Sequence, residues 1–273
     1  MATDRQRKVL ITGASAGIGL ATAQRLVAEG WRVWGTSRDV FRLPVLEGFH
    51  PLRMDLGRPD SIRQGFQQAL GEAGVFEALV NNAGAGVFGP LEAMPVDLVR
   101  EQFAELVEGP LELARLFLRS MPEGGRGTMI NVTSLAAQFP IPFMAPYSAA
   151  KAALSAVTQS LRLEQAGTRV RVVEVRPGDI RTRFHDATKR VGAAADDGQR
   201  RALEAVWEKQ LRDMAGAPPP ERVAAAIARA LSTENPPPLV VVGGFFQARL
   251  APLGARFLPP RLLEGLSRRH FGL

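Results

Sequence analysis

Short apolar segments alternate with longer helical segments along this chain, and this alternation constrains the fold more than any other feature of the sequence. Apolar runs predict strands at residues 8–12, 31–36, 50–54, 75–80, 127–133, 169–175 and 239–242. Helical spacing and capping signals predict helices at residues 17–29, 60–71, 96–121, 146–165 and 220–231. Parallel strands require long crossover connections, so this order predicts an α/β fold whose parallel sheet is covered by helices on both faces.

No linker or internal repeat divides the sequence, so residues 1–273 are predicted to form one domain. Two additions are expected, a lid insert at about residues 183–216 and a C-terminal appendage at about residues 245–273. Cysteine is absent, which excludes disulfides and thiolate chemistry, and the three histidines are too scattered to predict a metal site. No apolar run reaches about 18 residues and no secretory segment is recognised, so a cytoplasmic location is expected.

The chain is basic, with a formal net charge of +7, and its most basic segment is the appendage, which holds five arginines and one glutamate. A basic surface attracts nucleic acids or anionic membranes. Nucleic-acid binding is not expected, because no recognised binding module accompanies the charge. Packing onto the domain is the default prediction for the appendage, while a subunit contact and a peripheral contact with an anionic membrane stay open.

Three glycines follow the first predicted strand in the pattern G-x-x-x-G-x-G, at Gly13, Gly17 and Gly19. The first permits a tight turn, the second lets the backbone approach a pyrophosphate, and the third lets the helix pack closely on the strand. The free N–H groups at the helix start then attract phosphate. Because the pattern lies between a strand and a helix, it predicts a dinucleotide-binding loop, with an ordinary glycine-rich turn as the alternative.

The end of the second predicted strand indicates which nucleotide binds. A carboxylate there accepts hydrogen bonds from a ribose 2′-hydroxyl, whereas an arginine accommodates a 2′-phosphate. The strand ends at Ser37 and Arg38, which can both donate to a phosphate, and this favours NADP(H) over NAD(H). Asp39 leaves an alternative open, because its carboxylate can cap a turn or pair with Arg38.

Tyr147, the only tyrosine, precedes Lys151 by four residues in a predicted helix, so the two side chains lie on one face. A neighbouring ammonium group favours the phenolate and is expected to lower the pKa of the tyrosine. Such a tyrosine exchanges a proton with a carbonyl or alcohol oxygen near neutral pH. Ser134, at the end of the preceding strand, is placed to hydrogen-bond the same oxygen. A pair on the helix surface is the alternative explanation.

Together these motifs resemble the short-chain dehydrogenase/reductase family along nearly the whole chain, to about residue 244. The matching segments, in the family's order, are residues 12–19, Asp55, residues 81–84, Ser134, Tyr147 with Lys151, residues 177–178 and Thr182. The resemblance implies a Rossmann-type, doubly wound sheet of mainly seven parallel strands and an oxidoreductase that interconverts a ketone and a secondary alcohol. It also implies a homodimer or homotetramer, and the tail is most similar to steroid and retinol dehydrogenases.

The resemblance also implies a role for each matching residue. Tyr147 is the implied general acid and base, Lys151 holds the nicotinamide ribose, and Ser134 polarises the substrate oxygen. Asp55 is implied to bond the adenine amine, and Asn81 to steady the central strand beside the adenosine ribose. The implied NADP(H) contacts are Gly13, Ser15, Ala16, Gly17, Ile18, Gly19, Ser37, Arg38, Asp55, Leu56, Asn81, Ala83, Gly84, Tyr147, Lys151, Pro177, Gly178, Ile180 and Thr182.

Leu106 departs from the family pattern, which has an asparagine at this place in the long helix. Leucine cannot hold the water that links the lysine to solvent. One hypothesis is that the proton leaves by another route, through Glu105 or Glu108. The other is that turnover is impaired or specialised.

The predicted substrate site is formed by Ser134, Tyr147 and three aromatic residues, Phe139, Phe143 and Phe184. An apolar lining with few polar groups is typical of a site for a hydrophobic ligand, so a lipophilic ketone or alcohol of the steroid, retinoid or long-chain lipid type is expected. Two alternatives stay open. A basic cluster at Arg181, Arg183, Lys189 and Arg190 would suit a 3-oxoacyl group on an acidic carrier protein. A non-catalytic NADP(H) sensor would use the same fold.

Overall fold

The central feature of the fold is a parallel sheet of seven strands, seen in a computed structural model that describes residues 6–192, 195–244, 247, 254 and 257–273. Its strands are β1 (Lys8–Ile11), β2 (Arg32–Ser37), β3 (Phe49–Arg53), β4 (Ala78–Asn81), β6 (Gly127–Val132), β7 (Val170–Pro177) and β9 (Leu239–Val242). They lie in the order β3–β2–β1–β4–β6–β7–β9, and each neighbouring pair is parallel. The predicted doubly wound α/β fold is therefore confirmed.

Helices cover the sheet, and all but two of those described, at residues 197–215 and 260–271, lie close to a predicted place. They are α1 (Gly17–Ala28), α2 (Pro59–Ala73), α3 (Val96–Phe103), α4 (Gly109–Ser120), α5 (Ala145–Glu164), α6 (Asp197–Ala215), α7 (Glu221–Ser232) and α8 (Pro260–Phe271). The single helix predicted at residues 96–121 is divided, because a π-helical segment, Ala104–Glu108, joins α3 to α4. Such π segments occur often at functional sites, and this one carries Leu106.

The central strands of the sheet are buried on both faces, which explains the apolar runs of β1 and β4. In β1, successive side chains point to opposite faces. Val9 packs in the layer that contains Leu26 of α1 and Ile227 of α7. Leu10 packs in the opposite layer, with Phe66 of α2. All seven strands run the same way, so their carboxyl ends meet at one edge, where ligands bind in sheets of this type.

The lid insert contains regular structure that was not predicted from sequence. Strand β8 (Lys189–Arg190) pairs with β5 (Val87–Phe88), and α6 fills most of the remainder. Charged residues are as numerous as apolar ones in α6, which hides its periodicity, yet Leu203 and Val206 pack into a buried cluster with Phe88 and Tyr147. Residues 193–194 of the insert lie outside the described residues.

Ten of the 29 residues of the C-terminal appendage lie outside the described residues as well, namely 245–246, 248–253 and 255–256. Its described part includes α8, which was not predicted as a helix. Phe271 of α8 packs beside the cluster that contains Tyr147, and His270 lies 3.4 Å from the carboxylate of Asp213 in α6. Within the described ranges, no helix combines the length and apolar character that crossing a membrane requires.

Candidate active site

The glycine-rich loop connects β1 to α1 with a conformation that its glycines permit. Gly13 and Gly17 have φ angles of +70° and +54°, a region that other residues rarely adopt. A Cβ atom on Gly13 would lie 2.8 Å from Cα of Ala83, and one on Gly19 would lie 2.2 Å from the carbonyl oxygen of Gly13. The loop is therefore packed closely against the residues that follow β4. Because the glycines carry no side chain, the loop backbone can also come close to a pyrophosphate.

The start of α1 presents backbone N–H groups to the cleft. Ala16 is the N-cap residue, it provides no side-chain cap, and the first turn contains no acidic residue. These N–H groups and the positive end of the helix dipole therefore suit a phosphate group. A cleft of about 470 Å³ extends from this point along the carboxyl edge of the sheet.

Most of the predicted site residues line this one cleft. They are Gly13, Ser15, Ala16, Gly17, Ile18, Ser37, Arg38, Asp55, Leu56, Ala83, Gly84, Ser134, Tyr147, Lys151, Pro177, Gly178, Ile180, Thr182 and Phe184. The predicted residues Gly19, Asn81, Phe139 and Phe143 lie elsewhere. The arrangement fits a dinucleotide whose phosphates lie at the start of α1 and whose nicotinamide lies near Tyr147.

The Asn81 side chain lies beneath the cleft and is not part of its lining, so its predicted contact with the adenosine ribose stays a prediction. Its side chain is almost fully buried and donates a hydrogen bond of 2.9 Å to Oδ1 of Asn131, which ties β4 to β6. The next residue, Asn82, lines the cleft, and its Nδ2 donates to the carbonyl oxygen of Thr12. Successive side chains at a strand end point to opposite faces, so only one of the two amides reaches the cleft.

The nucleotide end of the cleft contains an ion pair that the sequence did not reveal. Arg38 donates a 3.0 Å hydrogen bond to Glu105 of the π segment. Burial raises the pKa of Glu105, and the charge of Arg38 opposes that rise. Asp39 caps the following turn by accepting from the backbone N–H of Phe41, so of the two alternatives for Asp39 the cap is observed.

Ser134, Tyr147 and Lys151 meet where β6 ends and α5 packs over it. Ser134 Oγ accepts a 3.1 Å hydrogen bond from the backbone N–H of Ala136 and is also hydrogen-bonded to Tyr147. Lys151 Nζ donates a 2.9 Å hydrogen bond to the carbonyl oxygen of Val132 and lies 5.9 Å from the centre of the Tyr147 ring. Tyr147 and Lys151 are both buried.

The pKa values of this trio differ from the sequence-based expectation. Burial raises the pKa of Tyr147 to about 12, with a smaller contribution from the charge of Asp179, although the hydrogen bond with Ser134 acts to lower it. Burial also lowers the pKa of Lys151 to about 8. The expected lowering of the tyrosine pKa by the lysine is thus outweighed, because a low-dielectric environment disfavours the charged form of each group.

Leu106 occupies a packed position beside the lysine. It is fully buried, and a Cβ atom placed on Gly84 would lie 2.9 Å from Leu106 Cδ2 and 3.6 Å from Lys151 Nζ. Glu105 is engaged with Arg38, and Glu108 is exposed. Neither carboxylate hydrogen-bonds Lys151 within the part of the chain that the structure describes, and the proton route through them stays a hypothesis.

The substrate end of the cleft is less aromatic than predicted. Ile141, Phe184 and Met214 line it, and the Phe184 ring lies 5.4 Å from that of Tyr147. Phe143 instead packs edge-on against buried Phe88, at 5.9 Å between ring centres. Phe139 is half-buried and also lies outside the lining.

Asp179, His185 and Gln210 also belong to this lining, and the sequence analysis did not name them. Asp179 directly follows Pro177-Gly178, and that position was a signal that could have been used. The other two belong to the lid insert and reach the cleft only because the insert folds over it.

Two of the four residues in the predicted basic cluster contact neighbouring side chains. Lys189 forms an ion pair with Glu101, at 2.5 Å. The guanidinium of Arg190 lies over the Trp207 ring, 4.6 Å from its centre. These contacts leave less of the cluster available to an acidic carrier protein than the sequence suggested.

Comparison with known proteins agrees with this geometry. A family model described as short chain dehydrogenase matches residues 7–191. The chain is 33% identical over 264 residues to 3-ketodihydrosphingosine reductase of Bacteroides thetaiotaomicron, covering 94% of each protein. A short-chain dehydrogenase of Streptomyces avermitilis has a structure that matches with a TM-score of 0.81 at 28% identity, covering 98% of this chain and 99% of that one. A serine dehydrogenase complexed with NADP+ matches with a TM-score of 0.74 at 26% identity, covering 88% and 96%. The chain therefore belongs to the short chain dehydrogenase family of oxidoreductases.

Proposed function

We propose that this oxidoreductase uses NADPH to reduce a lipophilic ketone to a secondary alcohol, with Ser134, Tyr147 and Lys151 as catalytic residues. The observation that carries the proposal is that these three side chains line one cleft with the glycine-rich loop. A nucleotide held at the start of α1 and extending along the sheet edge brings its nicotinamide to Tyr147. Bound nicotinamide supplies the hydride, and the protein supplies position and proton.

The electrostatics of the trio favour the reductive direction. With a pKa of about 12, the Tyr147 phenol keeps its proton at neutral pH and can donate it to the oxygen of a ketone as that oxygen gains charge. Ser134 donates a second hydrogen bond to the same oxygen. Lys151, protonated below pH about 8, stabilises the phenolate that remains after proton transfer.

The preference for NADPH rests on Ser37 and Arg38 at the end of β2, both of which line the cleft. A guanidinium group pairs with a 2′-phosphate through two parallel hydrogen bonds, which a free hydroxyl cannot match. Asp39, the nearby carboxylate that would favour NADH, is engaged as a cap. Asp55 and Leu56 would hold the adenine, and Pro177, Gly178, Ile180 and Thr182 would hold the nicotinamide.

A lipophilic substrate is supported by Ile141, Phe184 and Met214 in the cleft and by the similarity to 3-ketodihydrosphingosine reductase across nearly the full length of both chains. That relative's substrate, 3-ketodihydrosphingosine, is a long-chain ketone and is therefore the first compound to test.

The test is a fluorescence titration with NADPH and with NADH, followed by assays of nicotinamide oxidation with 3-ketodihydrosphingosine, steroid ketones and a carrier-linked 3-oxoacyl thioester. We expect tighter binding of NADPH, turnover of a lipophilic ketone, and loss of turnover in Tyr147→Phe with NADPH binding retained. Fast turnover of the thioester alone would select the carrier-protein alternative. Tight NADPH binding without turnover of any compound would contradict a catalytic role.

A further inference from the structure

Asp179, His185 and Gln210 form a polar pocket at the lid end of the cleft, and the proposed reaction does not use them. All three residues line the cleft that also contains Ser134 and Tyr147. They come from different parts of the fold, since Asp179 follows β7, His185 lies in a turn of the insert, and Gln210 lies in α6. Three polar side chains inside an apolar lining indicate recognition of a polar substrate group.

Asp179 places a carboxylate at the substrate end of the cleft. Its backbone N–H donates a 3.0 Å hydrogen bond to Oε1 of Gln247, and Nε2 of Gln247 donates to Oδ2 of Asp179, so the side chain is held in place. Burial raises the pKa of Asp179 and the charge of Asp213 adds to that rise, while the hydrogen bond with Gln247 and the charges of His270 and Lys209 oppose it. A buried carboxylate of this kind gains stability when a cation is bound beside it.

His185 and Gln210 each present a buried nitrogen that lacks a hydrogen-bond partner among the described residues. The atoms are Nε2 of His185 and Nε2 of Gln210, and the Gln210 residue is only 8% exposed. A buried polar atom without a partner destabilises the folded protein, so a ligand that pairs with it recovers that free energy. The His185 ring is held edge-on between Phe184 and Trp207, at 5.9 and 4.8 Å between ring centres.

The imidazole of His185 is suited to accept a hydrogen bond. Burial lowers its pKa, while Gln210, Asp179 and Asp186 act in the opposite direction, and the net result is a lowered value. A ring that is neutral at neutral pH has one nitrogen that accepts a hydrogen bond. The cleft there contains the carboxylates of Asp179 and Asp186 and a neutral acceptor on His185, beside the guanidinium of Arg183, and the three acceptors match a cationic donor.

We propose that this pocket binds a primary ammonium group of the substrate close to the reacting carbonyl, through the carboxylate of Asp179 and Nε2 of His185. The proposal rests on the proposed function, because the position of the carbonyl is taken from Tyr147. An ammonium group has three N–H donors, so it can donate to both acceptors and still has one N–H for another partner. Its bond to the carboxylate is charge-assisted and therefore stronger than one between neutral groups. The expected substrate class is a long-chain amino ketone.

The test compares the binding of octylamine and octan-1-ol to the full-length protein by calorimetry. The two probes have the same chain length and differ in the charged head group. We expect the wild-type protein to bind octylamine about 30-fold more tightly, the size of one charge-assisted hydrogen bond. Asp179→Asn should reduce this ratio to about 3-fold or less, as a neutral hydrogen bond would give. Asp197→Asn, which removes an equal charge from an exposed position on α6, should leave the ratio unchanged.

Equal binding of the two probes by the wild-type protein would overturn the proposal. An equal loss of affinity for both probes in Asp179→Asn would also overturn it, since that result would indicate a packing role for Asp179. Assays with 3-ketodihydrosphingosine and its N-acetyl derivative separate this proposal from the proposed function. Preferred octylamine binding without reduction of any ketone would contradict the function alone. If the free and N-acetylated ketones are reduced at equal rates and the two probes bind with equal affinity, the proposed ammonium site is contradicted while the proposed function stands.

Discussion

The guanidinium of Arg38 and the carboxylate of Glu105 are joined by a 3.0 Å hydrogen bond at the nucleotide end of the cleft. Arg38 follows β2, whereas Glu105 lies in the π segment between α3 and α4, so the pair connects two elements 67 residues apart. In the proposed function, Arg38 receives the 2′-phosphate of NADPH. Glu105 then holds the arginine in place and also competes with the phosphate for it.

This relationship gives opposite predictions for the two partners. Arg38→Leu should weaken NADPH binding by about 30-fold, because a charge-assisted contact with the phosphate is lost, and should leave NADH binding nearly unchanged. Glu105→Gln should strengthen NADPH binding by about 2- to 5-fold, the range expected when an exposed ion pair no longer competes. Fluorescence titration with both nucleotides measures each change. An equal loss of NADPH and NADH affinity in Arg38→Leu would contradict the selectivity argument.

Replacing Leu106 by asparagine is expected to destabilise the protein without increasing turnover. Leu106 is fully buried against Gly84, so the amide would enter a site packed with apolar atoms. The loss of packing and the burial of a polar group should lower the free energy of unfolding by about 2–4 kcal/mol. Denaturant unfolding measures this change, and Leu106→Met, which keeps the volume, is the control. A hundredfold gain in turnover would instead indicate that the leucine impairs the native enzyme.

The pH dependence of ketone reduction should follow Lys151 and not Tyr147. The pKa of Lys151 is lowered to about 8, so the ammonium is present below that pH and is lost above it. Tyr147, with a pKa of about 12, keeps its proton across this range. We therefore expect kcat/KM to be constant below pH about 8 and to fall above it. In Lys151→Arg the fall should move to higher pH, and a wild-type profile that stays flat to pH about 10 would refute the assignment.

Two glycine substitutions should have opposite effects on stability. Gly19→Ala places a Cβ atom 2.2 Å from the carbonyl oxygen of Gly13, so the glycine-rich loop must shift. We expect a loss of about 1–3 kcal/mol in the free energy of unfolding, together with weaker NADPH binding. Gly71→Ala, inside α2, meets no atom within 4 Å and should stabilise the protein by about 0.5–1 kcal/mol. Thermal unfolding of both variants measures the difference, and a stable Gly19→Ala variant with normal NADPH binding would be inconsistent with the close packing.

The sequence determined the parts of this protein that depend on neighbouring residues. Apolar periodicity and turn signals predicted the seven strands and five of the helices, because a strand or helix repeats its pattern within a few residues. The loop glycines and the four-residue spacing of Tyr147 and Lys151 are local for the same reason. Helices α6 and α8 were missed because charged residues are interspersed equally with apolar ones in both. The role of Leu203, Val206 and Phe271 follows only from their packing in the cluster that contains Tyr147.

The tertiary structure decided the properties that depend on residues far apart in the chain. Lys151 is bonded to the Val132 carbonyl, and burial by the surrounding elements, not the nearby ammonium, sets the high pKa of Tyr147. Folding of the insert brings His185 and Gln210 into a cleft with Asp179, which the order of residues did not indicate. The physical reason is that desolvation and unpaired hydrogen-bond groups arise when whole helices and strands pack together. A pattern of neighbouring residues therefore cannot predict them.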